Sequence, residues 1–338
     1  MNRRLQFEPQ WLLVIGFFLV GIFLGVLGLF TWEFNGNAMF GIKKIHPNAS
    51  VYKFINPLLA VDTFEKKEFF EDKSLEKKIN TIINKAQNQG DLQTGSVYFR
   101  DLEAGRWLGI NENLIFSPGN LLKVPIMIAF FKEAEVDPAI LDQKLIYRAT
   151  STAESISDVS ESLTDGESYT VEELIRAMII NDNDTAANLL FDLVDKNSLS
   201  EVYTDLGVPF NEEKNTDDFI NTKQYALFFR VLYNATYLNR DFSEKALIIL
   251  SETSVNNGLA SGLPNELEVA HKYRTRFYQE GAITMTESHD CGIVFFPKHP
   301  HILCLMGIGR NSAVIKNMFR EIGQSVNAAM AARYLERR

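Results

Sequence analysis

Cysteine is scarce in this chain: Cys291 and Cys304 are the two among 338 residues. That count excludes a small disulfide-stapled scaffold and a cysteine-rich metal domain. The five histidines, His46, His271, His289, His299 and His301, show no metal-ligand spacing, so neither a metal nor another cofactor is expected. A Gly-rich phosphate loop, internal repeats and low-complexity tracts are all missing. The formal charge is −9, so there is no broad basic field and nucleic acid is not an expected partner.

What is present begins with apolar residues, 46% of the chain, enough to bury one or two ordinary cores. The run "WLLVIGFFLVGIFLGVLGLFTW", Trp11 to Trp32, carries no charge. A helix of that length spans the roughly 30 Å hydrocarbon core, and a Trp at each end suits the interface. Residues 11–32 are therefore expected to be an uncleaved transmembrane anchor. A signal peptide is the rival, but the run exceeds a usual apolar region and no small-x-small cleavage site follows closely. Arg3 and Arg4 place residues 1–10 in the cytoplasm and the main domain outside the cell membrane, although Lys43 and Lys44 on the far side count against that orientation. Residues 33–73 have Gly, Asn and Pro punctuation without a sustained period and read as a linker.

From Ser74 the pattern is that of a folded domain. Leu75, Ile79, Ile82, Ile83 and Ala86 fall at helical spacing, with Ser74 as the expected cap and Gly90 at the end. "TGSVYFRDLEAGRWLGINEN" predicts a hairpin, and residues 121–256 are mostly helical, including a Thr170/Glu173 capping box. Strands return at "GIVFF" and "HILCLMGIG" before a long final helix. The layout is α+β, with an antiparallel sheet drawn from both ends of the domain. A turn centred on Lys298 and His299 would set the two cysteines diagonally, so buried free thiols are expected. His299 and His301, beside Pro300, are expected to be exposed.

Three segments carry a resemblance. "FSPGNLLKVPIMIAFFKEAE", "MIINDNDTAANLL" and "LEVAHKYRTRF" followed by "HDCGIVFFP" are similar, in order, to the Ser-x-x-Lys, Ser-Asp-Asn and Lys-Thr-Gly segments of the class A β-lactamase and penicillin-binding serine hydrolase superfamily. The resemblance covers residues 74–338. It implies a β-lactamase/D,D-peptidase-like fold, an antiparallel sheet flanked by helices plus an all-helical subdomain. It also implies acyl transfer through a serine, and a substrate carboxylate held by the third motif.

Each motif is altered. The nucleophile position holds Asn120, with Lys123 three residues on. A carboxamide has no ionisable hydroxyl and a delocalised nitrogen lone pair, so Asn120 cannot form an acyl-enzyme at a useful rate. Ser117 lies three residues too early, before Pro118, and reads as a cap. The second motif is Asn181, Asp182, Asn183. Asn181 lacks the proton-relaying hydroxyl, whereas Asn183 keeps an amide able to meet substrate and to hold Lys123. "NDND" is equally a polar turn before a helix. The third motif is Lys272, Tyr273, Arg274. Lys272 can still face a carboxylate, and Arg274 replaces the glycine that admits substrate, either blocking the groove or adding an anion-binding group. The alternative is an edge strand guarded by charge. Where β-lactamases carry a general base, this chain offers Glu212 and Glu213, which read as solvated loop acids. His289 and Asp290 are a weak pair signal.

The expected function is a membrane-anchored extracytoplasmic relative that has lost catalysis and binds a cell-wall peptide, a β-lactam-like ligand with a carboxylate, or a protein partner. An active β-lactamase or D,D-peptidase-type hydrolase with another nucleophile, and a scaffold with a vestigial groove, are the alternatives.

Overall fold

A computed structural model of the chain describes residues 52–56, 71–117, 119–149, 163–210, 220–253 and 258–335. The apolar run 11–32, and Glu212 and Glu213, lie outside the described residues. Among the described residues no helix is long and apolar enough to cross a membrane.

Helix α1 (Lys73–Asn88) buries Leu75, Ile79, Ile83 and Ala86, the predicted apolar face. Its cap is Asp72, whose carboxylate accepts from the Leu75 N–H at 3.3 Å, and not Ser74, which falls inside the first turn. A carboxylate there also meets the positive end of the helix dipole. Gly90, with φ +80, supplies the left-handed residue that ends the helix. Strands β1 (Leu92–Asp101) and β2 (Trp107–Ile110) then form the expected hairpin.

Helix α2 (Lys123–Ala134) is apolar on nearly every face, so it is buried among other helices. Around it lie the small hairpin of β3 (Lys144–Ile146) and β4 (Ser168–Thr170), then α3 (Val171–Ile180), α4 (Asp184–Leu193), α5 (Lys196–Asp205), α6 (Thr222–Tyr233) and α7 (Arg240–Ser251). Thr170 and Glu173 close a capping box on α3. Strands β5 (Val269–Glu280), β6 (Ile283–Val294) and β7 (His301–Gly309) complete the sheet, and α8 (Ser312–Tyr334) ends the domain. The sheet order is β2-β1-β7-β6-β5, antiparallel throughout, with β5 at one edge. One core lies between the sheet and α2–α7, and the other beneath α1 and α8. Directly opposed residues share a face, so Lys272, Arg274 and Arg276 of β5 line up with Cys291, His289 and Glu287 of β6 on the helical-block side.

The register corrects the reading of the cysteines. Val294 pairs with His301, which sets the turn one residue earlier than the pattern suggested, with Lys298 in the left-handed region at φ 61. Cys291 and Cys304 are then directly opposed, with Cα atoms 4.0 Å apart, and form a disulfide. Both are buried, as expected, but they are not free thiols. Titration of the denatured chain should find no reactive thiol before reduction and two after it, and two before reduction would restore the free-thiol reading. His301 is also not exposed: it is fully buried, with Phe99 and Phe296 ring centroids 5.4 and 6.4 Å away.

Candidate functional site

Asn120 lies in the 3-10 turn Gly119–Leu122 that leads directly into α2, and its side chain is outside the described residues. Lys123, the first residue of α2, is only 2% exposed. An ammonium buried to that degree must be paired. Its partners come from the tight turn between α3 and α4. Asn181 closes α3, donating its N–H to Ala177 O at 3.2 Å, and Asn183 opens α4, its side chain accepting from Ala186 N–H at 2.8 Å. Between them Asp182 adopts φ 54, a left-handed conformation that Asp tolerates better than most residues.

Lys123 Nζ donates to Asp182 O at 2.9 Å, to Asp182 Oδ1 at 2.7 Å and to Asp184 Oδ1 at 2.7 Å. An ammonium has three donors, so these acceptors account for all of them. Lys272, 1% exposed, donates to Ile179 O at 2.9 Å and sits 2.8 Å from the same Asp182 Oδ1. Asp182 thus joins α2 to β5. Burial works to raise its carboxyl, but Lys272 and then Lys123 outweigh it and hold it down at about 2. Burial pulls the Lys272 ammonium down to about 8 against the attraction of Asp182.

A second cluster lies further along the same face. Buried Glu287 accepts from Ser117 N–H at 3.2 Å and from Arg276. His289 Nε2 lies 3.0 Å from Glu287 Oε1 and 3.2 Å from Ser117 O. Both are acceptors, which assigns the proton to Nε2. Burial opposes ionisation of Glu287, yet His289 and Arg276 hold its carboxyl below the ordinary value. Ser117 is therefore tied by its backbone to β6. Arg274, directly opposite His289, has its Nε buried without a hydrogen-bond acceptor. Burial, and then Arg276 nearby, lower its guanidinium pKa.

The structure brings Lys123, Asp182 and Lys272 together, with Arg274 two residues along β5 on the same face. It does not bring Tyr273 to them. Tyr273 points to the opposite face, where its hydroxyl shares a 2.6 Å hydrogen bond with Thr275. Nor does Asn183 hold Lys123; its amide donates to Tyr147 Oη at 3.1 Å. Asn181 lines a cavity of about 410 Å³ with Leu163, Tyr169, Ala177 and Ile180. His289 and Asp290 point to opposite faces, and Asp290 pairs instead with His271 Nδ1 at 2.8 Å. Sequence reasoning assigned no role to Asp182, Asp184, Glu287 or Tyr147. The acids inside "NDND" were the available signal, because two carboxylates flanking one residue need cations nearby when buried.

The family model described as "Beta-lactamase enzyme family" matches residues 71–330. No curated protein matches. Among solved structures, PBP-A is 20% identical with a TM-score of 0.64, covering 78% of this chain and 98% of its own. A representative of class A beta-lactamase from Bacteroides cellulosilyticus DSM 14838 is 15% identical with a TM-score of 0.65, covering 77% and 98%. A beta-lactamase from Sphaerobacter thermophilus DSM 20745 is 17% identical at 0.62, covering 77% and 97%. At these identities the likeness is one of fold.

Proposed function

Because the chain belongs to the beta-lactamase enzyme family, matched over residues 71–330, we propose that it is a member that retains the serine hydrolase frame without its acyl transfer. The observation that carries this reading is the state of Lys123. In a Ser-x-x-Lys pair the amine must offer a lone pair, or steer a proton, toward a hydroxyl three residues earlier. Here residue 120 has no hydroxyl, and the lysine spends its three donors on Asp182 and Asp184. Asn181 removes the relay hydroxyl as well.

The domain is a binding module held outside the cell membrane by residues 11–32, with residues 1–10 cytoplasmic and residues 33–73 containing the linker. The ligand is a cell-wall peptide or a β-lactam-like molecule whose carboxylate meets Arg274. Support for this comes from the buried, unaccepted Nε of Arg274 and from the internal pairing of Lys272, which leaves Arg274 as the better cation for a ligand.

Mass spectrometry of the full chain in detergent with penicillin-G tests both parts. That probe is apt because a mutant of PBP-A has been solved as an acyl-enzyme complex with it. A complex seen under native conditions, weakened in Arg274→Ala and lost on denaturation, is expected. An adduct that survives denaturation would overturn the non-acylating reading and identify a nucleophile. No complex at all would overturn the ligand reading in favour of a scaffold.

A further inference from the structure

We propose that residues 52–56 form a docked strap, latched by Glu244, that fixes how far the domain reaches from its anchor. These residues lie in the segment that reads as linker and outside the family match at 71–330, so the family frame does not account for them. Glu244, in the second turn of α7, is 7% exposed. A carboxylate so buried needs strong partners, and it finds them in consecutive backbone N–H groups. Lys53 N–H donates at 2.6 Å, Phe54 N–H at 3.0 and 2.9 Å to the two oxygens, and Ile55 N–H at 3.0 Å.

The side chains and the following residue reinforce the latch. Phe54 and Ile55 are 4% and 5% exposed, and Phe54 packs on Phe295 with ring centroids 4.7 Å apart. Asn56 N–H donates to Tyr233 O, the last residue of α6, at 2.7 Å, and its amide donates to Asn234 Oδ1 at 3.1 Å. Tyr52 Oη donates to Asp241 Oδ1 at 2.7 Å, and Lys53 pairs with Glu268. A freely jointed spacer would bury neither apolar side chain and would leave Glu244 an unpaired internal anion.

The length role rests on the anchor reading. With the strap docked, residues 33–51 separate the apolar run from the first held residue, roughly 65 Å at full extension. With it released, residues 52–56 join that tether and its maximum span increases.

Hydrogen exchange of the full chain in phospholipid vesicles reads the latch. The amides of Lys53, Phe54 and Ile55 should exchange roughly a hundredfold or more slower than in an open chain, while Glu244→Ala and Phe54→Ser both remove that protection and leave α2 protected. Unprotected amides in the wild type would overturn the strap. Using Phe54→Ser beside Glu244→Ala keeps the test decisive if either variant folds poorly. Energy transfer from a dye on the domain to acceptor lipids should fall in both variants, and an unchanged signal would overturn the length role. Failure of the wild type to float with the vesicles would overturn the anchor reading and its tether role, while the exchange data still decide the latch.

Discussion

Asp182→Asn should destabilise the domain by about 3 kcal/mol, with a fall in unfolding midpoint on the order of 10 °C. The isosteric amide keeps the turn, since Asn accepts the left-handed backbone as readily as Asp, so the change removes charge alone. Lys123 and Lys272, 2% and 1% exposed, both rely on that carboxylate. Asp184 still holds Lys123, so the main loss falls on Lys272. The Asp182 side chain is 35% exposed, which places the effect at the low end of buried-pair losses. The pH dependence has a definite sign. The folded carboxyl sits at about 2 and the ordinary value is 3.8, so its contribution is present above 3.8 and is lost as pH falls through about 2. Denaturant unfolding from pH 7 to pH 2 should show that acid loss in the wild type and a flatter profile in Asp182→Asn. Stabilities within about 0.5 kcal/mol at pH 7 would mean that the cluster is not held by charge.

Acylation of Asn120→Ser by penicillin-G should stay slow, while Asn120→Ser combined with Asp184→Asn should react about 10²-fold faster. Restoring the hydroxyl replaces the missing atom, whose loss typically costs on the order of 10⁶ in turnover. It does not free the amine. Lys123 keeps its three acceptors, two from Asp182 and one from Asp184. Neutralising Asp184 weakens one of these charge-assisted contacts and leaves the amine freer to turn toward residue 120, while Asp182 stays to support Lys272. The rate of adduct formation, followed by denaturing mass spectrometry, measures this directly. Equal rates in the single and double variants would show that Asp184 does not restrain Lys123. If both reacted rapidly, the substituted nucleophile would be the sole defect.

Much of the frame was legible in the chain. The apolar period of α1, the Thr170/Glu173 box and the strand pair around "DLEAG" are local patterns, each set by interactions within a few residues. Their boundaries were less secure: the cap of α1 fell on Asp72 because two nearby residues could both serve and only the folded backbone selects one. The disulfide was missed for a similar reason. A one-residue shift of the β6–β7 turn changes a diagonal pair into a direct one. The strap was read as linker because docking through backbone N–H groups leaves no side-chain period.

The sequence by itself determined that residue 120 has no hydroxyl to acylate, since that property belongs to one side chain wherever it lies. Local spacing also set out the first helix, the β1–β2 hairpin, the helical block, the β6–β7 pair and the last helix, but not the β3–β4 hairpin inside that block. Only the tertiary structure decided where the protons of Lys123 go, because their acceptors stand 59 and 61 residues away in a turn that folding brings beneath α2. It likewise decided that Lys272 supports Asp182 from within and that Arg274 is left with its Nε unaccepted. Those outcomes depend on which strand face meets the helical block, and the register that sets the face is fixed by contacts along the whole sheet.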